Sequence, residues 1–350
     1  MALPGAPCKL PIWTMDQAFA MIPHVQRREF LKSTAAGMAV LSAFTRGALA
    51  QGATGQASPL DRGGPATVGA EKLARVSIMT YNFTSRLKLE GEVPNPDRVL
   101  GLFDVPQYFA DTYGVHNLEL QHSHFASTET GYLRDFRTLI ERTKSQMTQI
   151  NVEFGQMTGS AADPVQRYQA IDLTTRWVDH AAVLNCPRVM INQGLLTNET
   201  KARLTAALRL MNEYARTKAV KITVETREPR NFGPAPGDNP APAVAPGLPL
   251  SAPGGPPTWE LVREIVEASG TSCNVDIGNI TAPDQASLHM VLKGLLPFTS
   301  GNMHIKVSPN WDLATAIRYT NNDLGYKGLY SIEVSPPLIR SVYETILASI

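Results

Sequence analysis

The 350-residue chain carries a net charge of +1, with 43% hydrophobic and 18% charged residues, enough to bury a large core as one big α/β domain or two ordinary ones. Beyond the N-terminal segment no basic run stands out, which excludes a sequence-independent grip on nucleic acid, since that requires clustered Lys and Arg. Three cysteines, Cys8, Cys186 and Cys273, show no paired spacing and exclude a disulfide framework or zinc ribbon.

The N-terminus reads as an address. Gln26-Arg27-Arg28-Glu29-Phe30-Leu31-Lys32 precedes a small, moderately apolar stretch from Ser33 to Phe44, and Ala48-Leu49-Ala50 makes a small-residue cleavage signal before Gln51. A charged region, an apolar region and a cleavage site in that order form a secretory signal, and the arginine pair followed by Phe-Leu-Lys resembles the twin-arginine type. Ser, Thr, Gly and Arg46 interrupt the apolar run, which is too short for a stable membrane span. The expectation is a twin-arginine signal peptide over 1–50, cleaved after Ala50, with export through the Tat machinery and a periplasmic or secreted mature chain. Met15 or Met21 is an alternative start. From 51 to 72, Gly, Ala, Ser and Pro predict a flexible leader.

In the mature chain, Val76 to Phe83 reads as a first strand. Asp104 before Val105-Pro106 signals a helix start, and Gly114 supplies its left-handed cap. Val115 to Leu120 is then a second strand. Leu133, Phe136, Ile140 and Met147 keep helical spacing, and Val152 to Gly155 follows as a third strand. Tyr168, Ile171, Val178 and Ala182 mark the next helix face, with Arg188 to Asn192 the fourth strand. Leu204, Leu208, Met211 and Ala215 make another apolar face before strand five, Lys221 to Glu225. Further helix-like stretches around Leu261, Leu288 and Leu313 each precede one of strands six to eight, and a helix around Val342 closes the chain. Eight strand–helix units over 73–350 predict a single-domain α/β fold, the (β/α)8 TIM barrel, whose typical size is roughly 250 residues. The alternation argues against an all-α or all-β class, and no Gly-rich phosphate fingerprint follows strand one. An insertion over 229–257 is crowded with Pro, Gly and Ala and should lack regular structure. It is either a surface insertion or a lid or subunit contact beside the barrel mouth.

Four strands end in a metal-ligating side chain: Ile222-Thr-Val-Glu225, Cys273-Asn-Val-Asp276, Gly301-Asn-Met-His304 and Gly328-Leu-Tyr-Ser-Ile-Glu333. Each of these residues alone is commonly a salt-bridge partner. In adjacent strands of a parallel barrel their ends converge on one mouth, and the oxygen–nitrogen donor set suits one divalent ion, Mn²⁺, Mg²⁺, Co²⁺ or Zn²⁺.

This pattern resembles the xylose-isomerase-like superfamily of sugar isomerases and epimerases, including the tagatose/psicose 3-epimerase type, from about Arg75 to Ile350. Asp104 to Gly114 with Leu118-Glu119-Leu120 looks like that family's helix one and strand two, and His304-Ile-Lys306 is similar to its His-x-Lys. The resemblance implies that Glu225, Asp276, His304 and Glu333 hold the metal. The chain departs from the family at three places: Asn279 stands where an Asp-x-x-His imidazole is usual, Val307 where an Asp follows His-x-Lys, and Asn310 where some epimerases carry Arg. The missing histidine also argues against the endonuclease IV group, which needs several more for three metals.

The expected activity is a metal-dependent isomerase or epimerase of a neutral sugar or keto-sugar. A carbonyl and a neighbouring hydroxyl on the ion make the adjacent C–H acidic, and Glu225 and Glu333 remove and return the proton. One alternative is a lyase that expels a β-substituent from an oxidised (3-keto) glycoside through the same enediolate. Another is a non-catalytic carbohydrate-binding protein. Candidate substrate-binding residues are His122, His124, Gln156, Asn192, Asn279 and Lys306. The two histidines would share a face if strand two extends that far, or lie on the surface. Lys306 would polarise a carbonyl or pair with Glu333. Glu119 is expected below the pocket in a hydrogen-bonded network, and Tyr81 and Trp311 wall the sugar or join the core. The sequence leaves a homo-oligomer open.

Overall fold

Eight parallel strands close into a barrel in strict chain order, β8 returning to β1. They are β1 Val76–Met79, β2 Asn117–Gln121, β3 Gln146–Val152, β4 Arg188–Ile191, β5 Lys221–Glu225, β6 Ser272–Asp276, β7 Thr299–Ile305 and β8 Leu329–Ile332. The α-helices between and after them are α1 Val105–Tyr113, α2 Thr130–Arg142, α3 Pro164–Val183, α4 Asn198–Thr217, α5 Thr258–Ser269, α6 Gln285–Leu295, α7 Leu313–Arg318 and α8 Pro336–Ser349. The structure is a computed structural model describing residues 69–89, 95–227, 258–280 and 282–350. The signal peptide, the insertion at 229–257 and nearly all of the leader therefore lie outside the described residues. The leader's last residues, expected to be flexible, form instead a helical turn, Ala70–Leu73, and Lys72 Nζ donates to the Leu347 carbonyl (2.8 Å). Among the described residues no helix is long and apolar enough to cross a membrane.

Strand alternation sorts the side chains into two sets. Ile78, Leu118, Ile150, Val189, Val224, Val275, Met303 and Ile332 are buried between strands and helices. Their neighbours Ser77, Asn117, Glu119, Gln149, Asn151, Thr223, Asn274, Asn302 and Ser331 are equally buried but polar, and they fill the barrel's interior. Cross-barrel bonds confirm the direction: Asn302 of β7 donates to Glu119 of β2 (3.0 Å). Most such barrels fill this space with branched apolar residues; this one fills it with hydrogen-bonding groups.

Helix ends follow local chemistry. Gly114 takes φ 68° after α1, and Asp163, Asp284 and Asp312 accept amide protons at the starts of α3, α6 and α7. Three sequence expectations shift. β1 stops at Met79 and a 3-10 turn covers Thr80–Phe83. β3 runs over Gln146–Val152 rather than Val152 to Gly155: Met147 falls in helical phase with α2, but Lys144 at φ 55° ends that helix and returns Met147 to the sheet. On α3, Tyr168 is exposed, and the buried face is Ala170, Thr174, Trp177, Val178 and Ala181.

Candidate metal centre

Glu225 ends β5 and Asp276 ends β6, His304 is next to last in β7, and Glu333 follows β8 directly. Register sets Asp276 beside His304 and His304 beside Ser331, so the four donors stand at the C-terminal mouth, where barrel enzymes keep their active sites. One ligand atom from each of the four lies within 4.8 Å of all the others. Donors on opposite sides of an ion at about 2.1 Å stand about 4.2 Å apart, so a small contraction closes the cage.

His304 is fully buried, and its nitrogens face different groups. Nε2 lies 2.5 Å from Glu119 Oε1, while Nδ1 lies 2.8 Å from Glu333 Oε2, 3.2 Å from Glu225 Oε1 and 3.8 Å from Asp276 Oδ2. A proton on Nε2, donated to Glu119, leaves the Nδ1 lone pair facing three carboxylates, the tautomer a metal ligand requires. Burial lowers the His304 pKa, but Glu119 and Glu333 overcome it and raise it well above the ordinary imidazole value. The surroundings thus favour a cation at Nδ1, whether proton or metal ion.

Glu119 sits beneath, as expected. Its Oε1 accepts from Gln149 (3.0 Å) and Asn151 (2.7 Å) besides His304, and its Oε2 accepts from Asn302 (3.0 Å). Burial would raise its pKa, but the His304 charge and the bonds from His304 and Asn151 hold it down to about 2.

Asp276 is set by backbone. Its Oδ1 accepts the amides of Gly278 (2.8 Å) and Asn279 (3.1 Å), and its own amide donates to Thr226 Oγ1 (2.8 Å). That leaves Oδ2 for a ligand. Asp276 Oδ2 and Glu333 Oε2 are buried and make no hydrogen bond, although Lys306 and His304 stand at ion-pair distance from them; buried carboxylate oxygens of this kind suit a metal ion.

Two side-chain cations flank the cage. Lys306 Nζ lies 2.7 Å from Asp276 Oδ2, at ion-pair distance but out of line for a hydrogen bond, and 3.0 Å from Glu333 Oε1. Arg227 donates through Nε to Glu225 Oε2 (2.5 Å) and through Nη2 to Glu153 Oε1 (2.6 Å). Glu153, Glu225, Asp276 and Glu333 thus face two side-chain cations, an excess of negative charge that a divalent ion offsets. The donor types, the spacing, the orphaned oxygens and the charge all fit such an ion.

A cavity of about 220 Å³ opens above, lined by Glu225, Glu333, Lys306, Asn279, Arg227 and Glu153 together with Met79, Tyr81, Gln121 and Met190. Asn279 and Lys306, two of the expected substrate contacts, are there and touch each other (3.3 Å). The other four are placed elsewhere. β2 ends at Gln121, so strand periodicity does not carry His122 and His124 to one face; they sit in a 3-10 turn. His122 packs edge-on against Phe154 and Trp177, and His124 meets Thr80 and Thr84 hydroxyls (3.0 and 3.3 Å). Gln156 is exposed beyond β3, and Asn192 accepts from the Gly194 amide (3.2 Å) in a turn. Trp311 is buried in the core, while Tyr81 stays 43% exposed at the mouth. The sequence reading does not single out Arg227. The available signal was its spacing, two residues after Glu225, as Lys306 stands two after His304.

No protein-family model matches the sequence, and no curated protein does either. Solved structures do. D-psicose 3-epimerase with D-tagatose from Clostridium cellulolyticum H10 superposes with a TM-score of 0.55 at 12% identity, over 79% of this chain and 96% of that one. The fold is shared. L-ribulose 3-epimerase gives 0.54 at 15% identity over 79% and 90%. A probable 3-DHS dehydratase of petrobactin synthesis from Bacillus anthracis gives 0.50 at 12% over 79% and 97%. The structural neighbours are thus xylose isomerase-like barrels, mostly sugar epimerases and isomerases.

Proposed function

We propose that this chain is a divalent-metal-dependent isomerase or epimerase of a neutral sugar or keto-sugar, exported by the twin-arginine route that residues 26–50 suggest. The observation that carries the reading is His304, its Nε2 held by Glu119 and its Nδ1 turned to Glu225, Asp276 and Glu333. Those four side chains would hold Mn²⁺, Mg²⁺, Co²⁺ or Zn²⁺. When bound, the ion would polarise a carbonyl and an adjacent hydroxyl and make the intervening C–H acidic.

The chain's own groups divide the remaining work. Glu225 and Glu333, on β5 and just after β8, approach the cavity from different sides and move the proton. Lys306 and Asn279 offer donors to substrate oxygens. Burial and the nearby charge of Glu333 raise the Tyr81 pKa, so its hydroxyl stays protonated and donates as well. The cavity lies below the range usual for drug-sized ligands, which suits a single sugar unit. Even with its ion the mouth has no surplus positive charge for a phosphate to meet.

A second reading, β-elimination from an oxidised (3-keto) glycoside, draws support from Asn279, which provides an amide where an imidazole would otherwise share the acid–base work. The dehydratase on the same fold supports it too. The test is metal analysis of the folded full chain, beside His304→Ala, followed by incubation with free ketoses and with 3-keto glycosides. About one ion per chain in the parent and none in the folded variant is the expected result, with turnover of one substrate class choosing between the readings. A parent that takes up no divalent ion ends both and leaves carbohydrate binding without catalysis.

A further inference from the structure

Lys306 carries its charge to the place where it opposes an ion most. Its ammonium lies 2.7 Å from Asp276 Oδ2, 3.0 Å from Glu333 Oε1 and 3.3 Å from Asn279 Oδ1. Asp276 has no second oxygen to offer, because Oδ1 is committed to the amides of Gly278 and Asn279. Nor is the lysine stem free to move away. A Cβ on Gly278 would stand 2.5 Å from Lys306 Cβ and 2.6 Å from its Cδ, so the stem lies pressed along bare backbone and aims the ammonium at the cage. The other cation of the mouth differs: Arg227 reaches Glu225 Oε2, on the far side of that carboxylate from Oε1, which faces His304, and its other end is anchored on Glu153.

We propose that Lys306 sets how tightly the centre holds its ion, sharing Asp276 Oδ2 and Glu333 with it as a like charge. This inference rests on the metal-dependent reading above. Two cations at one carboxylate oxygen repel strongly in a poorly solvated interior, so the lysine weakens binding. It also draws electron density from the same carboxylates, which leaves the ion a stronger Lewis acid. A site shaped only for retention would put a neutral side chain beside Asp276. Gly278 and Asn279 instead make room for the ammonium and give it a second seat that faces the cavity.

The test is calorimetric titration of the full chain with Mn²⁺ at fixed pH and ionic strength, for the parent, Lys306→Met, Lys306→Gln and Lys306→Arg. Melting with and without Mn²⁺ establishes that each variant is folded. Both neutral variants are expected to bind tenfold or more tightly than the parent, and Lys306→Arg, which keeps the charge, to stay within a few-fold of it. A merely structural lysine would give the opposite sign, weaker binding on its loss. Equal or weaker binding by both neutral variants overturns the inference while leaving a metal enzyme. So does tightening by Lys306→Arg as large as that by Lys306→Met, since size rather than charge would then be at work. Mn²⁺ binding by the neutral variants alone upholds the lysine's role and removes the resident ion from the parent. If no form binds, both readings fall together.

Discussion

The two ends of the barrel interior are both polar, in different ways. At the closed end Arg188 of β4 crosses the interior and donates to the Thr148 carbonyl (2.9 Å) on β3 and the Ser300 carbonyl (2.9 and 3.0 Å) on β7. Its charge meets backbone acceptors among hydroxyls and amides, and nothing about it calls for a ligand. At the mouth, four carboxylates converge on two cations, and two oxygens make no hydrogen bond. β3 and β7 contribute to both arrangements. A polar interior alone therefore says little about function; surplus charge that the chain does not itself neutralise says much more.

Glu119, between the two ends, gives the largest test of that contrast. Replacing it by Gln keeps the shape but removes the carboxylate that fixes the His304 tautomer, and partners of this kind commonly contribute 10–100-fold in metal affinity. Mn²⁺ binding by Glu119→Gln should weaken by about that factor, measured by titration of the folded variant. Unchanged affinity would place Glu119 with the structural end. Arg188→Met should do the reverse. Losing its bonds to two buried carbonyls should cost about 3 kcal/mol of stability in denaturant unfolding while Mn²⁺ affinity stays the same. A fall in affinity would show that the ends are coupled.

A third test concerns neither end. Burial lowers the pKa of His122 and of His124 to about 4, so both rings are neutral when folded and gain a proton near pH 6.5 when unfolded. Between those values the unfolded chain binds more protons. The stability they contribute is complete above about pH 6.5 and is lost progressively as the pH falls toward 4. Phe substitution at His122 should flatten part of that slope in unfolding measured between pH 7 and 4.

The barrel was readable because every strand has an apolar outward face and most helices carry an apolar stripe. The four-donor set was readable because each donor stands at or beside the end of a strand, where chain position and spatial position coincide. What failed had identifiable causes. Met147 satisfies the helical and the strand pattern at once, so only the backbone at Lys144 places β3. His122 and His124 depend on where β2 stops, which one-dimensional alternation does not mark. Arg227 and Glu153 have meaning only as partners across the mouth, from β5 to the loop after β3. The polar lining of Gln149, Asn151, Asn274 and Asn302 was visible as residues, but its role in holding Glu119 needs the closed sheet.

Asp276 has one oxygen tied to two backbone amides and one oxygen pointing into the cage. A ligand held in this way has reach but no swing, so the turn from Asp276 to Asn279 fixes where an ion sits as firmly as any rotamer does. One more methylene, as in glutamate, would carry the free oxygen about 1.5 Å further, past the point the other three donors share. The two acids are interchangeable here as charges and not as rulers.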